Sequence, residues 1–431
     1  MGRAITKIQS IILLVIIVVV AAGSFWYYWS SMPAPSPAPP IKVGGIFHMS
    51  TVRGITNKIV MEMWRDEVNK RGGLLGRPVE VIVEDNRGET AANVAAHKKL
   101  VTEDKVVLVL TELTSWTLAV MDSAAELYNE YPHLQIATLQ NSIVTNEKLL
   151  SDYNKYKFFF VANDGTLDTY QRYCESAKYF MTKCGYSKMA LLIENMEWTR
   201  PYTQGLPKYG LKPLKEAFEE MGMKVVYYAL TDIQEKVFFP LFDAIAASGA
   251  EFIFWVEQNM DTLTIVKQWA TSAAKDIDLF LDGGAVTNYK FWEQTGGACL
   301  GVITAGPDVD YIKVTGGEPE FIKKLRDTGY GITMAAYHVY NALLAFEAAV
   351  KKAGTLDADK LIQALLEIEI NGLLGKIKFK SPPAPDAHRV AVGYPYYIVY
   401  LGQWREDGNC KAVWPEEVAT IPFVPVKSLR K

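Results

Sequence analysis

The chain has 431 residues, and 45 lysines and arginines against 48 aspartates and glutamates give a formal net charge of −3. With 49% apolar and 22% charged residues, the composition excludes a largely disordered chain, and at roughly 150 residues per domain it predicts two or three domains. Lysine and arginine are scattered and form no basic run, which argues against a nucleic-acid partner.

The N-terminal segment is strongly apolar. Residues 11–22 read IILLVIIVVVAA, and the stretch continues through an aromatic cluster at 25–29. A helix over residues 11–29 would be roughly 28 Å long, enough to cross the hydrocarbon core of a bilayer. Arg3 and Lys7 precede it without an acidic residue, so the N-terminus is expected in the cytoplasm. The sequence therefore predicts a single-pass membrane anchor over 1–29 and an extracellular globular part.

Two shorter features flank the apolar stretch. Its start resembles the pilin-like signal of archaeal surface proteins, and this resemblance implies a cut after Ala4 that leaves the helix attached. Residues 30–40 read SSMPAPSPAPP, with five prolines among small residues. Such a segment forms an extended linker, so the globular body is expected to begin at residue 41.

From residue 41 onward, short apolar strands alternate with amphipathic helices. Strands are predicted at 42–46, 79–84, 106–110, 135–139, 158–162, 189–193, 225–230, 252–256 and 279–282. Helices are predicted at 55–71, 90–102, 117–128, 167–183, 214–221, 237–247 and 262–273. This alternation predicts α/β architecture, with parallel sheets covered by helices on both faces. The stretch is too long for one sheet, so we expect two doubly wound lobes.

The last hundred residues have a different pattern. Long helices are predicted at 332–353 and 358–367, late strands at 377–379 and 394–401, and a proline-rich loop at 381–385.

The sequence contains little that points to catalysis or metal binding. The glycines at 72–76 lack the Gly-Lys-Ser/Thr ending of a phosphate-binding loop. Ser272 and Lys275 form a Ser-x-x-Lys match without its companion motifs. The five histidines are spread singly along the chain. We therefore expect no enzyme, no metal site and no cofactor.

Several segments carry a resemblance to a known family. They are IKVGGI at 41–46, EVNKRGGLLGRPV at 67–79 and VEDN at 83–86, with later matches at 104–110 and 136–142. In this order they resemble the branched-chain amino-acid-binding proteins, which are type I periplasmic-binding-fold receptors of ABC transporters. The likeness covers residues 41–404.

The resemblance implies two lobes joined by three crossovers, with ligand held in the cleft between them. Crossovers are expected near Ala162, Pro307 and Gly393. The N-terminal lobe would comprise residues 41–162 and 307–392, and the C-terminal lobe residues 163–306 and 393–431.

Hydroxyl groups stand where ligand binding is expected in the N-terminal lobe. Thr114 and Ser115 follow a buried strand and precede a helix, a place where hydroxyls and helix N–H groups suit a carboxylate. Helix capping would also explain this pair. In the family, the matching hydroxyl binds the ligand's carboxylate, while Ser142 and the backbone near Gln140 match the loop that takes its amino group.

The first strand-to-helix loop departs from the family pattern. It carries His48, Met49 and Ser50, where the family usually has small residues. This bulk would change the shape of the pocket or close it.

A second departure affects the C-terminal lobe. The family's ammonium-binding glutamate corresponds to Gly284 here. If the ligand is an amino acid, Asp282 or Glu257 would then have to bind its ammonium group, because a buried unpaired ammonium costs several kcal/mol. Otherwise the ligand lacks one, as an amide or a simple carboxylate does. Trp198 and Tyr202 match an aromatic that packs on the ligand, although packing in the lobe core would explain either equally.

The leading functional hypothesis is an extracellular solute-binding protein that delivers an amino acid, or a related amide or carboxylate, to an ABC transporter permease. The alternative is a surface-anchored ligand sensor or structural subunit with the same fold.

Overall fold

The computed structural model describes residues 14–16, 18–24, 26, 38–283, 290–306, 314–330 and 333–430. The chain divides into two units, Met1–Pro39 and Pro40–Lys431, and the fold below is that of the second. The described residues between 14 and 26 are helical. Most of the predicted anchor, the Ala4 cleavage point and most of the linker lie outside the described residues. Within those that are described, helices with the length and apolarity of a membrane span are absent.

The first sheet has five parallel strands in the order β2-β1-β3-β4-β5. Its strands are β1 (Ile41–Phe47), β2 (Val79–Asp85), β3 (Leu108–Thr111), β4 (Leu134–Ala137) and β5 (Phe159–Val161). The three last strands are buried along their whole length, as expected for parallel strands covered on both faces.

Each of the first four strands leads into a helix. These helices are α1 (Val52–Lys70), α2 (Thr90–Thr102), α3 (Thr114–Leu127) and α4 (Val144–Ser151), followed by the single turn α5 (Tyr153–Tyr156). Thr51 caps α1, because its hydroxyl accepts a hydrogen bond from the Gly54 N–H at 3.1 Å. The carboxyl ends of the strands therefore share one edge with the N-termini of α1, α3 and α4.

The second sheet begins with a further set of parallel strands. They are β6 (Lys188–Glu194), β7 (Lys224–Thr231), β8 (Phe252–Val256), β9 (Asp278–Leu281) and β10 (Ile303–Ala305). Their helices are α6 (Thr166–Cys184), α7 (Arg200–Gln204), α8 (Leu214–Glu220), α9 (Phe239–Ser248), α10 (Thr262–Trp269) and α11 (Phe291–Thr295), with 3-10 turns at Glu197–Thr199 and Pro207–Tyr209.

The remaining elements pack on the first sheet or extend the second, and β11 and β12 form a two-stranded antiparallel sheet of their own. The helices are α12 (Glu318–Asp327), α13 (Met334–Ala353), α14 (Ala358–Glu367) and α15 (Val426–Leu429), and the strands are β11 (Ile370–Gly372), β12 (Gly375–Ile377), β13 (Leu401–Trp404) and β14 (Cys410–Trp414). Helix α13 packs on α1, where Glu347 accepts hydrogen bonds from Trp64 at 3.2 Å and Arg71 at 2.8 Å. Strands β13 and β14 complete the second sheet in the order β14-β13-β10-β9-β8-β6-β7.

The chain passes between the two sheets three times. It leaves the first sheet between β5 and α6, returns between β10 and α12, and crosses again between β12 and β13. The second passage includes residues 307–313, so the crossover expected at Pro307 lies outside the described residues. We call the body around the first sheet lobe 1 and the body around the second sheet lobe 2.

Two predictions about the late elements were wrong. The second sheet is mixed, because β13 and β14 are joined by a short hairpin, which makes neighbours antiparallel. The strand predicted at 394–401 begins only at Leu401. Of residues 394–400, Tyr396 and Tyr397 form isolated bridges within the third passage, and Pro395 has no N–H to donate to a ladder.

Candidate functional site

The loop after β1 and the start of α3 lie together at the strand-end edge of lobe 1. The Ser50 hydroxyl is 2.9 Å from His48 Nε2, and the His48 ring meets the Trp116 ring edge-on at 6.3 Å. Helix α3 begins at Thr114, three residues before the predicted start, so Thr114 and Ser115 form its first turn. Thr114 is half-buried and Ser115 is exposed. The His48–Trp116 contact therefore places the first turn of α3 beside the loop that carries His48 and Ser50.

An ion pair with a fully buried carboxylate lies beneath this corner. Glu112 directly follows β3 and is fully buried. Its Oε2 atom accepts hydrogen bonds from Arg53 Nε at 3.0 Å and Asn57 Nδ2 at 3.2 Å. Burial raises the pKa of the Glu112 carboxyl, and the Arg53 guanidinium opposes that shift.

The loop after β4 is held by an arginine from the third passage. Arg389 is fully buried, and its guanidinium donates to the Gln140 side-chain oxygen at 2.7 Å and to the Gln140 carbonyl at 2.8 Å. It also reaches the carbonyls of Asp164 at 2.9 Å and Ser142 at 3.3 Å. Gln140 and Ser142 thus lie in a network that ties this loop to two passages between the lobes.

Lobe 2 brings its four predicted residues into one cluster at the ends of β6, β8 and β9. Tyr202 is buried, and its ring packs edge-on against Tyr173 at 5.2 Å and Trp198 at 5.9 Å. The Tyr173 hydroxyl donates to Asp282, and Arg172 Nη2 lies 3.6 Å from the same carboxylate. Asp282 is therefore already paired with a cation and a hydroxyl.

Glu257 has far less compensation for its burial. Its side chain is fully buried and accepts from the Thr262 hydroxyl at 3.1 Å. A Cβ added at Gly283 would lie 1.8 Å from its Oε1 atom, so the carboxyl group lies against the residue after Asp282. Burial, and next the negative charge of Glu194, raise the pKa of Glu257 to about 8.

The neighbouring Glu194 differs from Glu257 in its hydrogen bonding, because its carboxylate accepts hydrogen bonds from several donors. It accepts from Trp198 Nε1 at 2.5 Å, from the backbone N–H groups of Gln258 and Asn259 at 2.9 Å each, and from the Asn259 side chain at 2.7 Å. Glu257 is thus the carboxyl group in this cluster that gains most from a ligand cation or donor.

Within the described residues, no hydrogen bond or ion pair joins the predicted residues of lobe 1 to those of lobe 2. The position matched to the family's glutamate, Gly284, lies outside these residues. A cavity of about 570 Å³ lies between α6, the third passage and the end of β14, with Arg172, Gly393 and Trp414 in its lining. None of the predicted binding residues lines it.

Sequence reasoning missed Arg389, Glu112 and Glu194. Glu194 was open to the same argument as Glu257, because it is the polar end of a buried apolar strand. Arg389 was not, since its partners are distant in sequence and its segment has no regular pattern. In the described parts of the chain, no group of three or more His, Cys, Asp or Glu side chains is arranged so that it could hold a metal.

Comparisons with known proteins match this architecture. The chain is 23% identical to the Leu/Ile/Val-binding protein homolog 1 of Brucella abortus over 80% of this chain and 84% of that one. An ABC transporter solute binding protein from R. palustris, solved in complex with 4-hydroxybenzoate, has a TM-score of 0.64 at 20% identity over 90% of this chain and 99% of that one.

A branched-chain amino acid transporter substrate binding protein from Streptococcus pneumoniae, solved with isoleucine, has a TM-score of 0.63 at 17% identity over 86% and 98% of the two chains. These likenesses confirm the two-lobed type I periplasmic binding protein fold. The sequence profile of periplasmic binding proteins matches residues 40–409. That family consists of binding proteins, which confirms the prediction that the chain is not an enzyme. The chain therefore belongs to the periplasmic binding protein family.

Proposed function

We propose that this protein is the solute-binding component of an ABC importer and captures a small carboxylate-bearing solute between its lobes. The observation that carries the proposal is the contrast between the two strand-end edges. Lobe 1 offers hydroxyls and the start of α3, whereas lobe 2 offers the buried Glu257, whose side-chain partner is a hydroxyl. A ligand with an anionic end and a donor end fits this pair of edges.

Two ligand classes meet that description. One is an amino acid, as in the isoleucine complex of the relative from Streptococcus pneumoniae. The other is an aromatic carboxylate, as in the 4-hydroxybenzoate complex of the protein from R. palustris. Both carry a carboxylate, and they differ in whether an ammonium or a phenolic hydroxyl would meet Glu257.

The lobe boundaries and the membrane anchor are part of the proposal. Lobe 1 would contain residues 41–162 and 307–392, and lobe 2 residues 163–306 and 393–431. The apolar run at 11–29 would keep the protein on the membrane, with the binding lobes outside and within reach of a permease. Recovery of the intact chain from the soluble fraction after a high-salt or carbonate wash would contradict the anchor.

A thermal-shift and calorimetric screen tests the binding function. Leucine, isoleucine, 4-hydroxybenzoate and their amides are added separately to the protein, and a ligand specific for the native state raises the melting temperature. Replacing Thr114 and Ser115 with alanine together should weaken binding of the ligand found by about 1–3 kcal/mol. Failure of every amino acid, amide and carboxylate to bind would favour the alternative of a structural surface subunit.

A further inference from the structure

Arg53 occupies an unusual place at the ligand-facing edge of lobe 1. It is the second residue of α1, which begins five residues after β1 ends. A cation in the first turn of a helix opposes the helix dipole and destabilises the helix. The first turn of α1 contains no acidic residue that would offset it locally. Helix stability therefore does not explain this arginine.

The guanidinium is fixed from below. Nε of Arg53 donates to Glu112 Oε2 at 3.0 Å, and the Glu112 side chain is fully buried. Asn57, one turn further along α1, donates to the same carboxylate oxygen. Glu112 is therefore held from two positions on α1, and it in turn orients the arginine.

The two terminal nitrogens of the Arg53 guanidinium remain available to donate hydrogen bonds to a ligand. An arginine side chain has five N–H donors, and the terminal nitrogens carry four of them. Among the described residues, Nε alone of the Arg53 nitrogens has a hydrogen-bond partner. The side chain is 30% exposed, so the outer fork is open to solvent.

The same corner carries further groups suited to an anion. Glu112 is two residues before Thr114, where the 14-residue helix α3 begins. That helix has neither a side-chain cap nor an acidic residue in its first turn, so its N-terminal N–H groups are not compensated by protein side chains.

We propose that Arg53 is the charged anchor for the carboxylate of the ligand, with Thr114 and Ser115 as neutral partners. This inference rests on the proposed solute-binding function and narrows it to solutes with a free carboxylate. The planar fork binds a carboxylate through two parallel hydrogen bonds, which a lysine ammonium cannot reproduce. Amides of the same solutes would lose most of this interaction.

The test is calorimetric titration of the full chain with leucine, leucinamide, 4-hydroxybenzoate and 4-hydroxybenzamide. We expect at least one acid to bind at least tenfold more tightly than its amide. Arg53→Gln should remove that difference by weakening the acid, while Arg53→Lys retains part of it. Arg65→Gln, on the same helix but paired with Asp66 on the surface, is the matched control and should change neither affinity.

A second variant guards against a folding defect. Arg53→Gln leaves Glu112 buried without its cation, so Arg53→Gln with Glu112→Gln is measured beside it, and thermal unfolding monitors both. Equal loss of acid and amide binding, or no loss of acid binding, overturns the role of Arg53 while solute binding stands. Binding of the amides but not of the acids by the wild-type protein would also overturn the role of Arg53 while solute binding stands. Wild-type protein that binds none of the four compounds overturns both proposals.

Discussion

In the proposed site, the protonation state of Glu257 decides which end group of the ligand lobe 2 accepts. Its carboxyl is fully buried, and burial raises its pKa to about 8. In the ligand-free site at neutral pH it is therefore mostly protonated and can donate a hydrogen bond. An ammonium can be bound favourably only after that proton leaves, whereas a phenolic or carbonyl oxygen can accept it.

This gives a prediction about pH. If the ligand carries an ammonium, its affinity should rise by about tenfold per pH unit from pH 6 towards 8, because Glu257 must ionise before binding. Glu257→Gln should weaken such a ligand at least tenfold and flatten the pH dependence, as measured by calorimetry. A ligand without an ammonium should bind Glu257→Gln nearly as well as the wild type. An ammonium ligand with pH-independent affinity would contradict the role given to Glu257.

Arg389 should contribute to stability much more than an ordinary arginine. It donates to the side chains of Gln140 and Asn146 and to the carbonyls of Asn163 and Asp164. Arg389→Met leaves at least three buried acceptors without a donor, at about 1–3 kcal/mol each. We expect the free energy of unfolding in urea to fall by about 3 kcal/mol or more.

The control for Arg389 is Arg200→Met, because Arg200 is 61% exposed and its ion pair is with the exposed Glu197. Surface ion pairs of this kind contribute about 0–1 kcal/mol. Equal effects of the two substitutions would show that the Arg389 network is not what holds the loop after β4.

At the scale of elements, the hydrophobic pattern of the sequence predicted the strands and helices that depend on local interactions. The alternation of apolar strands and amphipathic helices predicted the parallel strands β1 to β9 and most of the longer helices within a few residues, but not α4 or α12. It failed where distant contacts decide. The alternation did not predict β10 or β14, and β14 pairs with β13 in an antiparallel hairpin at the edge of the second sheet.

The residues of the candidate site also fall into those that the sequence pattern predicted and those that it did not. Thr114, Glu257 and Asp282 were predictable, since polar residues at the end of a buried strand stand out in the sequence. Arg53 and Arg389 were not, because their importance depends on Glu112 and Gln140, which lie 59 and 249 residues away. Their roles as ligand-binding or positioning residues remain predictions.

A buried histidine pair joins α2 to the segment before β4. His133 Nδ1 lies 2.6 Å from the Tyr131 carbonyl, so it must donate. Its Nε2 can then only accept, and His97 Nε2 donates to it at 2.9 Å. His97 Nδ1 accepts from the Ser123 hydroxyl at 2.9 Å. Because every ring nitrogen already donates or accepts a hydrogen bond, this series of hydrogen bonds cannot accommodate an additional proton. Burial lowers the pKa of His97 to about 3 and also lowers that of His133.

The pair should make the native state sensitive to acid. Both pKa values are lower in the native than in the unfolded state, so their stabilising contribution is complete above pH 6.5 and is lost as the pH falls below it. For His97 this costs about 1.4 kcal/mol per pH unit in that window, and the lowered pKa of His133 adds to the loss. The double variant His97→Asn, His133→Asn should therefore be less stable at pH 7.5 but lose less stability between pH 6 and 4. The free energy of unfolding in urea is measured at several pH values for both proteins. An equal loss of this free energy between pH 6 and 4 in the two proteins would refute this account.

At the scale of the whole molecule, a contact of Glu147 joins the lobes at a place away from the three passages. Glu147 lies on α4 in lobe 1, and its Oε1 atom accepts from Lys208 Nζ and from the Tyr209 hydroxyl in lobe 2, at 2.7 Å each. Hydrogen bonds from Lys208 and Tyr209 lower the pKa of Glu147. The contact is therefore intact above pH 4.5 and weakens as the pH falls below that value.

Removing this contact should shift the lobes towards an open arrangement. The ion pair is exposed, at 33% for Glu147 and 68% for Lys208, so its contribution is about 0.2–1 kcal/mol. A closed form stabilised by that amount is favoured by up to about fivefold, and ligand adds to the same equilibrium. Glu147→Gln should thus increase the radius of gyration of the ligand-free protein in small-angle scattering and weaken ligand binding by up to fivefold. Glu219→Gln, which removes an exposed pair within lobe 2, should change neither. If Glu147→Gln scatters like the wild type with and without ligand, closure does not depend on this bridge, and the contacts made by the ligand itself must hold the lobes together.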